Sequence, residues 1–342
     1  MRVTNRASTR NYLRHMNNAL SNQAKIQERV SSGNRFERIS EDVSSGVQAM
    51  NAKTELYKTE KHLSNVSSIN ETLTAAEDAM DTINTLLADI NTKILKAIND
   101  PTSSNRKVLA QEIGAMKEEI LQMVNSSYNG QFLFSGSNNY GAPFSVDKTT
   151  GKLSYNGVPV DDIQRRKDGT YFYEDANGTI HDVPLNEDIY MDIGLGIRMT
   201  GSQVDPQTGF NISYSGPDVL GFGKDDEDIS NNIYNLLDDI EKAVKEEPFE
   251  TDLVRKYGDK LTKMTDEFRG NLTDLGSKTQ FLDTMENRLT KNANNLTNSI
   301  ARYTGTDYVE ESIHQATSDT VTKALYQLGS NVIPLSLMDF VR

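Results

Sequence analysis

The chain has 342 residues and a net charge of −13, and 36% of its residues are hydrophobic. The absence of Cys excludes disulfides and thiolate metal sites, and no apolar run approaches the roughly 18 residues of a membrane span. The negative charge argues against nonspecific binding to nucleic acid or to anionic membranes. We therefore expect neither nucleic acid nor a membrane among the partners of this protein.

The first predicted element is a weakly amphipathic helix from Met1 to Val30, which carries Leu13 and Leu20 on its apolar stripe. Four arginines recur at every fourth position and so share one helical face: Arg2, Arg6, Arg10 and Arg14. This segment has no apolar signal core, so export would need a route without a cleaved signal. The basic face is either simply solvated or a contact surface for an acidic partner.

Two further helices are predicted before residue 131. Ser31 to Asn34 form a turn, and Ser40-Glu41-Asp42 can cap a helix whose apolar residues alternate at spacings of three and four up to Ala97. Asn99-Asp100-Pro101 ends it, because Pro disfavours helical geometry in the residue before it. Ser103 or Ser104 begins the next helix, and Asn129-Gly130 is expected to close it.

The composition changes between residues 131 and 224, which hold 13 of the 22 Gly and 5 of the 8 Pro. Asn156-Gly157 and Asn177-Gly178 lie between β-prone runs and predict hairpin turns. We interpret this stretch as an inserted β-rich domain. Asp225 to Asp228 are then expected to begin a helix that ends before Pro248.

The strongest pattern lies between Val254 and Tyr303. Every seventh residue is apolar: Val254, Leu261, Phe268, Leu275, Leu282, Leu289, Leu296 and Tyr303. The positions three further on are mixed, so the pattern predicts a single helix of about 75 Å with a narrow apolar seam. Such a helix needs other helices packed against it.

The remaining chain is predicted to be helical from Tyr308 to Leu328, followed by an apolar segment from Leu335 to Arg342. The predicted fold class is therefore mainly α with an inserted β-rich domain, and both chain ends contribute to a long-helix coiled-coil bundle. We predict three domains: residues 1–40 with 304–342 (terminal helices), 41–130 with 225–303 (the bundle) and 131–224 (the insertion).

No catalytic constellation is present in the sequence. The four His residues are scattered, and neither a nucleophile elbow nor a phosphate-binding loop occurs. We expect no enzyme activity, no cofactor and no metal.

Several motifs resemble the flagellin family. At the N-terminus these are Met1-Arg2-Val3-Thr4-Asn5-Arg6, the run from Val30 to Arg35, and Ile39-Ser40-Glu41-Asp42. The run from Asn129 to Ser137 with Pro143-Phe144, and the ending from Pro334 to Phe340, are more similar to hook-associated members of that family. The resemblance covers roughly Met1 to Phe144 and Gly270 to Arg342.

The resemblance implies a secreted structural subunit of the bacterial flagellum, exported unfolded by the flagellar type III apparatus. It implies a ring of copies between another hook-associated protein and the flagellin filament, with the terminal helices inside and the β domain outside. An export chaperone at the C-terminal helices is also implied. The candidate subunit-contact residues are Arg2, Arg6, Arg10, Leu13, Arg14, Leu20, Leu325, Leu328, Leu335, Leu337, Met338 and Phe340.

Two alternatives remain open at the level of sequence. One is a flagellin that builds the filament itself. The other is a secreted enzyme or glycan-binding module whose activity lies in the β insertion.

Overall fold

The computed structural model describes residues 2–99, 102–138, 140–148, 150–167, 169–175, 178–201, 203–205 and 207–332, with the backbone alone for residues 2–6, 203, 331 and 332. The described residues divide into two compact units. We call those among residues 1–60 and 291–342 the terminal unit, and residues 61–290 the central unit.

Helices account for most of the described chain and follow in the order α1 Arg2–Ser32, α2 Val43–Asn99, α3 Ser103–Val124, α4 Gly216–Leu220, α5 Ile233–Lys245, α6 Thr251–Thr304 and α7 Tyr308–Val332. The short strands are β1 Ser127–Tyr128, β2 Gln131–Phe132, β3 Phe144–Val146, β4 Leu153–Tyr155, β5 Val158–Pro159, β6 Ile163–Arg165, β7 Tyr171–Glu174, β8 Ile180–Asp182, β9 Tyr190–Met191, β10 Met199–Thr200, β11 Gln203–Val204 and β12 Phe210–Asn211. The predicted fold class, mainly helical with a β-rich insertion, is confirmed.

The core of the central unit lies between α2 and α6, which run antiparallel. Asn70 donates to Asp283 at 2.8 Å, and further along α2 Glu77 accepts from Thr279 at 3.1 Å. The heptad positions of α6 from Val254 to Leu289 are buried in this core, as the seven-residue pattern predicted. Burial of these apolar side chains is the main source of stability for the unit.

The helices α3 and α5 pack together around a buried cation. Lys117 Nζ lies 2.7 Å from Asp238 Oδ1 and 3.0 Å from Glu241 Oε2. Burial alone would lower the pKa of Lys117, but its hydrogen bonds to the two carboxylates outweigh burial, and the pKa is raised. The lysine is therefore charged and links the two helices.

Asp225 to Asp228 do not begin a helix, and that prediction was wrong. Helix α5 starts later, where the Asn232 side chain caps it by accepting from the backbone N–H of Asn235. Asp225 instead accepts from Lys260 Nζ of α6 at 2.6 Å, and this bond lowers its pKa to about 2. The acidic loop therefore holds the chain after the β insertion onto α6.

The insertion consists of small antiparallel sheets of two or three strands. Asn156 and Gly157 join β4 to β5 with positive φ angles of 47° and 85°, which confirms the first predicted hairpin. Strands β7 and β8 pair as expected, although Asn177 of the second predicted turn lies outside the described residues. Asn129-Gly130 is a third hairpin turn, between β1 and β2, and not the end of α3, which stops at Val124.

In the terminal unit, α1 and α7 lie antiparallel. The turns that precede α2 and α7 are tied by backbone bonds, from Arg35 N to the Thr304 carbonyl (2.8 Å) and from Thr306 N to the Gly33 carbonyl (3.0 Å). The Asp307 carboxylate then accepts from the first backbone N–H groups of α7 and caps it. Helix α7 starts at Tyr308 as predicted but extends to Val332.

Candidate subunit interface

The terminal unit has almost no apolar core of its own. Among the described residues, the buried hydrophobic side chains run from Val66 to Leu289, and the terminal unit adds Ala49 alone. Its helices are nevertheless long and carry many apolar residues, several of which are exposed. Folding normally buries such residues, so the helices of this unit have surfaces suited to a neighbour.

Several polar bonds join α1 and α7. Tyr12 Oη donates to the Leu325 carbonyl at 2.9 Å, and Gln23 Nε2 donates to Asp319 Oδ1 at 2.6 Å. Arg29 Nη1 lies 3.3 Å from Glu311 Oε1. These bonds fix the register of the two helices, and none of the described apolar side chains of α1 or α7 is fully buried.

The opposite side of α7 is apolar and exposed. Glu311, Thr322 and Gly329 are buried towards α1, whereas Val309 is 72% and Ile313 62% exposed. At helical spacing the outward face continues through residues that are also exposed: Ala316, Thr320, Val321, Ala324 and Leu328. We call this face the α7 stripe; it reverses the usual arrangement in which the apolar side of a helix faces its own protein.

A second exposed apolar face lies on the first four turns of α2. Its large members are exposed by 47–62% and are separated by four, three and seven residues: Val43, Val47, Met50 and Tyr57. Thr54 completes the heptad spacing and is exposed as well. The inner side of these turns carries the small or polar residues Gly46, Ala49 and Thr59. We call the outer face the α2 stripe.

Charged groups hold the turn between α1 and α2. A polar cavity of about 300 Å³ is lined there by six charged residues, Lys25, Glu28, Arg29, Glu37, Arg38 and Glu41, and by Ser32, Asn34 and Phe36. The pKa of Glu28 is raised mainly by a hydrogen bond with Glu37 and, to a smaller extent, by charge repulsion from Glu37. Asp42 caps α2, because its carboxylate accepts a hydrogen bond from the Ser45 N–H. Hydrogen bonds from Ser45 and the nearby charge of Arg35 lower the pKa of Asp42. The ion pair of Arg35 with Asp42 therefore adds to the backbone bonds that hold this turn.

The predicted contact residues are only partly placed by the structure. Arg10, Leu13, Arg14 and Leu20 are exposed on α1, Leu328 is exposed on α7, and Leu325 is half-buried against α1. Arg2 and Arg6 belong to α1, but their side chains are outside the description. Leu335, Leu337, Met338 and Phe340 lie outside the described residues. Contact of any of these residues with another subunit stays a prediction.

Sequence analysis missed both stripes. The spacing of Val43, Val47 and Met50 was the available signal, as was that of Val309 and Ile313. A heptad pattern has the same form whether it faces the chain's own core or a neighbouring molecule, so burial was needed to tell the two apart.

No group of three or more His, Asp or Glu side chains in the described part of the chain is placed to hold a metal ion. None of the described helices is both long and apolar enough to cross a bilayer.

Long paired helices and outward apolar stripes define a helical protein with surfaces for assembly. Residues 3–139 match the family described as the bacterial flagellin N-terminal helical region. The flagellin of Clostridium tyrobutyricum is 25% identical over 139 residues, which are 40% of this chain and 37% of that flagellin. The match thus covers well under two thirds of the length of that flagellin.

One solved structure supports the fold. A structure from Vibrio parahaemolyticus described as a flagellar hook-associated protein has a TM-score of 0.55 at 17% identity, covering 78% of this chain and all of that one. FlgL from Bacillus cereus has a TM-score of 0.46 at 12% identity, covering 74% and 99% of the two chains. The chain thus carries a flagellin-type N-terminal helical region on the fold of a flagellar hook-associated protein, which confirms the resemblance seen in its motifs.

Proposed function

We propose that this protein is a structural, non-enzymatic subunit of the bacterial flagellum, located at the junction between hook and filament. The observation that carries the proposal is the terminal unit, whose helices expose apolar stripes and hold almost no core among the described residues. A subunit that is completed only by its neighbours has this distribution of apolar surface. The match of residues 3–139 to the flagellin helical region supports the flagellar setting.

The proposed partners are further copies of the chain, another hook-associated protein on the hook side and flagellin on the filament side. The terminal helices, residues 1–40 with 304–342, would form the inner tube, while the bundle and the insertion at 131–224 lie further out. Because Val309 and Ile313 are exposed before assembly, we also propose that an export chaperone covers the C-terminal helices until then. The location is the extracellular flagellum.

Flagellin itself is the alternative, because the sequence match is to a flagellin. Antibody labelling of purified flagella in the electron microscope separates the two. We expect label at one narrow band between hook and filament, and cells lacking the gene should assemble hooks without attached filaments. Label along the whole filament would instead show a filament subunit, and absence of label from flagella would contradict both readings.

A further inference from the structure

We propose that Asn129 is a site of deamidation in the folded chain, whereas Asn156, which has the same sequence neighbours, is protected. The triplet Tyr-Asn-Gly occurs twice, at residues 128–130 and 155–157. An Asn before Gly is especially reactive, because Gly has no side chain to hinder attack by its own backbone nitrogen. A difference in reactivity between two identical triplets must therefore come from the fold. The inference does not depend on the proposed function.

The two triplets form the same backbone turn. Asn129 and Gly130 have φ angles of 50° and 80°, and Asn156 and Gly157 have φ angles of 47° and 85°. Each pair joins two antiparallel strands, β1 to β2 in the first case and β4 to β5 in the second. The conformation of the turn does not distinguish the two sites, so the distinction lies in what holds each side chain.

The side chain of Asn156 is held at both of its polar atoms. Its Oδ1 accepts from Asn138 Nδ2 at 2.8 Å, and its Nδ2 donates to the Pro184 carbonyl at 3.0 Å. Its backbone N–H also donates to the Pro143 carbonyl at 2.8 Å. The preceding residue, Tyr155, is fully buried. Attack on the side-chain amide requires it to leave these partners, so the fold slows the reaction at this site.

The side chain of Asn129 has no such restraint. Asn129, Gly130 and Gln131 are exposed, and within the described part of the chain the Asn129 side chain makes no hydrogen bond. Its hairpin consists of two strands of two residues each, whereas the Asn156 turn belongs to a three-stranded sheet. A two-stranded hairpin is only marginally stable by itself. The local opening that lets the Gly130 nitrogen reach Asn129 Cγ is therefore cheap in free energy.

The reaction needs only water and hydroxide. Hydroxide removes the proton of the Gly130 backbone N–H, and this nitrogen forms a bond to Asn129 Cγ. The bond from Cγ to Nδ2 then breaks, and Nδ2 leaves as ammonia with a proton from water, which regenerates hydroxide. Water opens the resulting five-membered succinimide at either carbonyl and leaves an aspartate or an isoaspartate at position 129.

The new carboxylate would lie beside an existing one. Tyr128 Oη donates to Glu71 Oε2 of α2 at 3.1 Å, and this bond ties the hairpin to the long helix. A negative charge next to Tyr128 repels Glu71, and an isoaspartate lengthens the backbone of the turn. We expect amide hydrogen exchange in β1 and β2 to be several-fold faster in the modified chain. Unchanged exchange would overturn this inferred effect on the hairpin.

Peptide mapping tests the site in the full-length chain. The folded protein is incubated in mildly alkaline buffer, and trypsin, cutting after Lys148 and Lys152, places the two triplets on separate peptides for mass spectrometry. We expect deamidation at Asn129 to be several-fold faster than at Asn156, and the two rates to become similar in urea that unfolds the chain. Equal rates in the folded chain, faster reaction at Asn156, no reaction at Asn129, or the same inequality in urea would overturn the inference.

Two variants test the cause of the difference. Asn138→Ala removes the donor to Asn156 Oδ1 and should raise the rate at Asn156 several-fold, while the rate at Asn129 stays unchanged and reports that the chain remains folded. Asn129→Gln should abolish the signal at position 129, because Gln would have to form a less favourable six-membered ring. An unchanged rate at Asn156 in the first variant would contradict protection by that bond.

Discussion

Arg29 Nη1 lies 3.3 Å from Glu311 Oε1 across the pair of helices α1 and α7. Only 9% of the Glu311 side chain is exposed, and its second oxygen, Oε2, is buried with no hydrogen-bond partner among the described residues. Arg29 is 38% exposed. The guanidinium is therefore the principal compensation for a carboxylate held out of water between two helices.

We expect Arg29→Met to destabilise the α1–α7 pair by about 1–2 kcal/mol, because it leaves the Glu311 carboxylate buried and unpaired. Amide hydrogen exchange along α7 would then be roughly tenfold faster. The matched variant Glu311→Leu removes the buried carboxylate and should cost much less, or even slow exchange. Equal acceleration by both variants would contradict this account.

The outward stripe of α7 predicts a separation between stability and assembly. Ile313 is 62% exposed, so Ile313→Ser should change the free energy of unfolding by no more than about 0.5 kcal/mol. The same variant should weaken self-association in analytical ultracentrifugation. A loss of stability with unchanged association would show that the stripe serves the chain's own fold.

The matched control for that experiment is in the central unit. Ile83 is fully buried in the core, and Ile83→Ala should cost about 2–5 kcal/mol on chemical denaturation. Its effect on association of the folded chain should be small, the reverse of the Ile313→Ser result.

The long helices could be predicted from sequence because periodicity alone specifies them. Val254 to Tyr303 follow one seven-residue period, and α6 spans Thr251–Thr304 as a result. The end of α3 could not be predicted in the same way. Asn129-Gly130 has the residues of a helix stop, but both have positive φ angles in a tight hairpin that begins five residues beyond the helix end at Val124.

The acidic run at Asp225 shows a second limit. Asp and Glu favour the first turn of a helix, yet Asp225 is held by Lys260 of α6, a residue 35 positions away. A long-range ion pair of this kind leaves no local sequence signal. The same holds for the exposed apolar stripes, since sequence shows which residues are apolar but not which of them remain exposed.

Limited proteolysis of the free chain should cut first in the terminal unit. Its helices bury few apolar side chains, so local opening costs little free energy there. We expect a resistant fragment whose ends lie near residues 61 and 290, the limits of the central unit. Mass spectrometry of the fragment identifies its ends, and survival of intact α1 and α7 beyond the first cuts in the central unit would contradict the prediction.

The ion pair of Asp225 with Lys260 predicts a pH-dependent contribution to stability. The pKa of Asp225 is lowered from 3.8 to about 2 in the folded chain, first by the hydrogen bond from Lys260. Its contribution is therefore complete above about pH 4 and is lost as the pH falls towards 2. Urea unfolding should show Asp225→Asn less stable than the natural chain at pH 7, with the difference disappearing near pH 2.

Asn is a suitable replacement because its side-chain oxygen can still accept from the N–H groups of Glu227 and Ile229, as Asp225 does. The loop bonds are thereby kept and only the charge is removed. A stability difference that persists unchanged down to pH 2 would show that the charge of Asp225 is not its cause.

The apolar segment after α7 gives the last prediction. Leu335, Leu337, Met338, Phe340 and Val341 place five apolar side chains within eight residues, which lie outside the described part of the chain. We expect the segment to be buried between subunits beside basic helix α1, which contains Arg10 and Arg14, because so much apolar surface is unfavourable in water.

Deleting residues 334–342 should leave the circular dichroism of the purified protein nearly unchanged but abolish incorporation at the hook–filament junction. The triple variant Leu335→Ser, Leu337→Ser, Phe340→Ser keeps the chain length and should fail in the same way, so that lost hydrophobicity rather than lost length is the cause. A truncated chain that still incorporates and supports filaments of normal length would show that this segment is not a subunit contact.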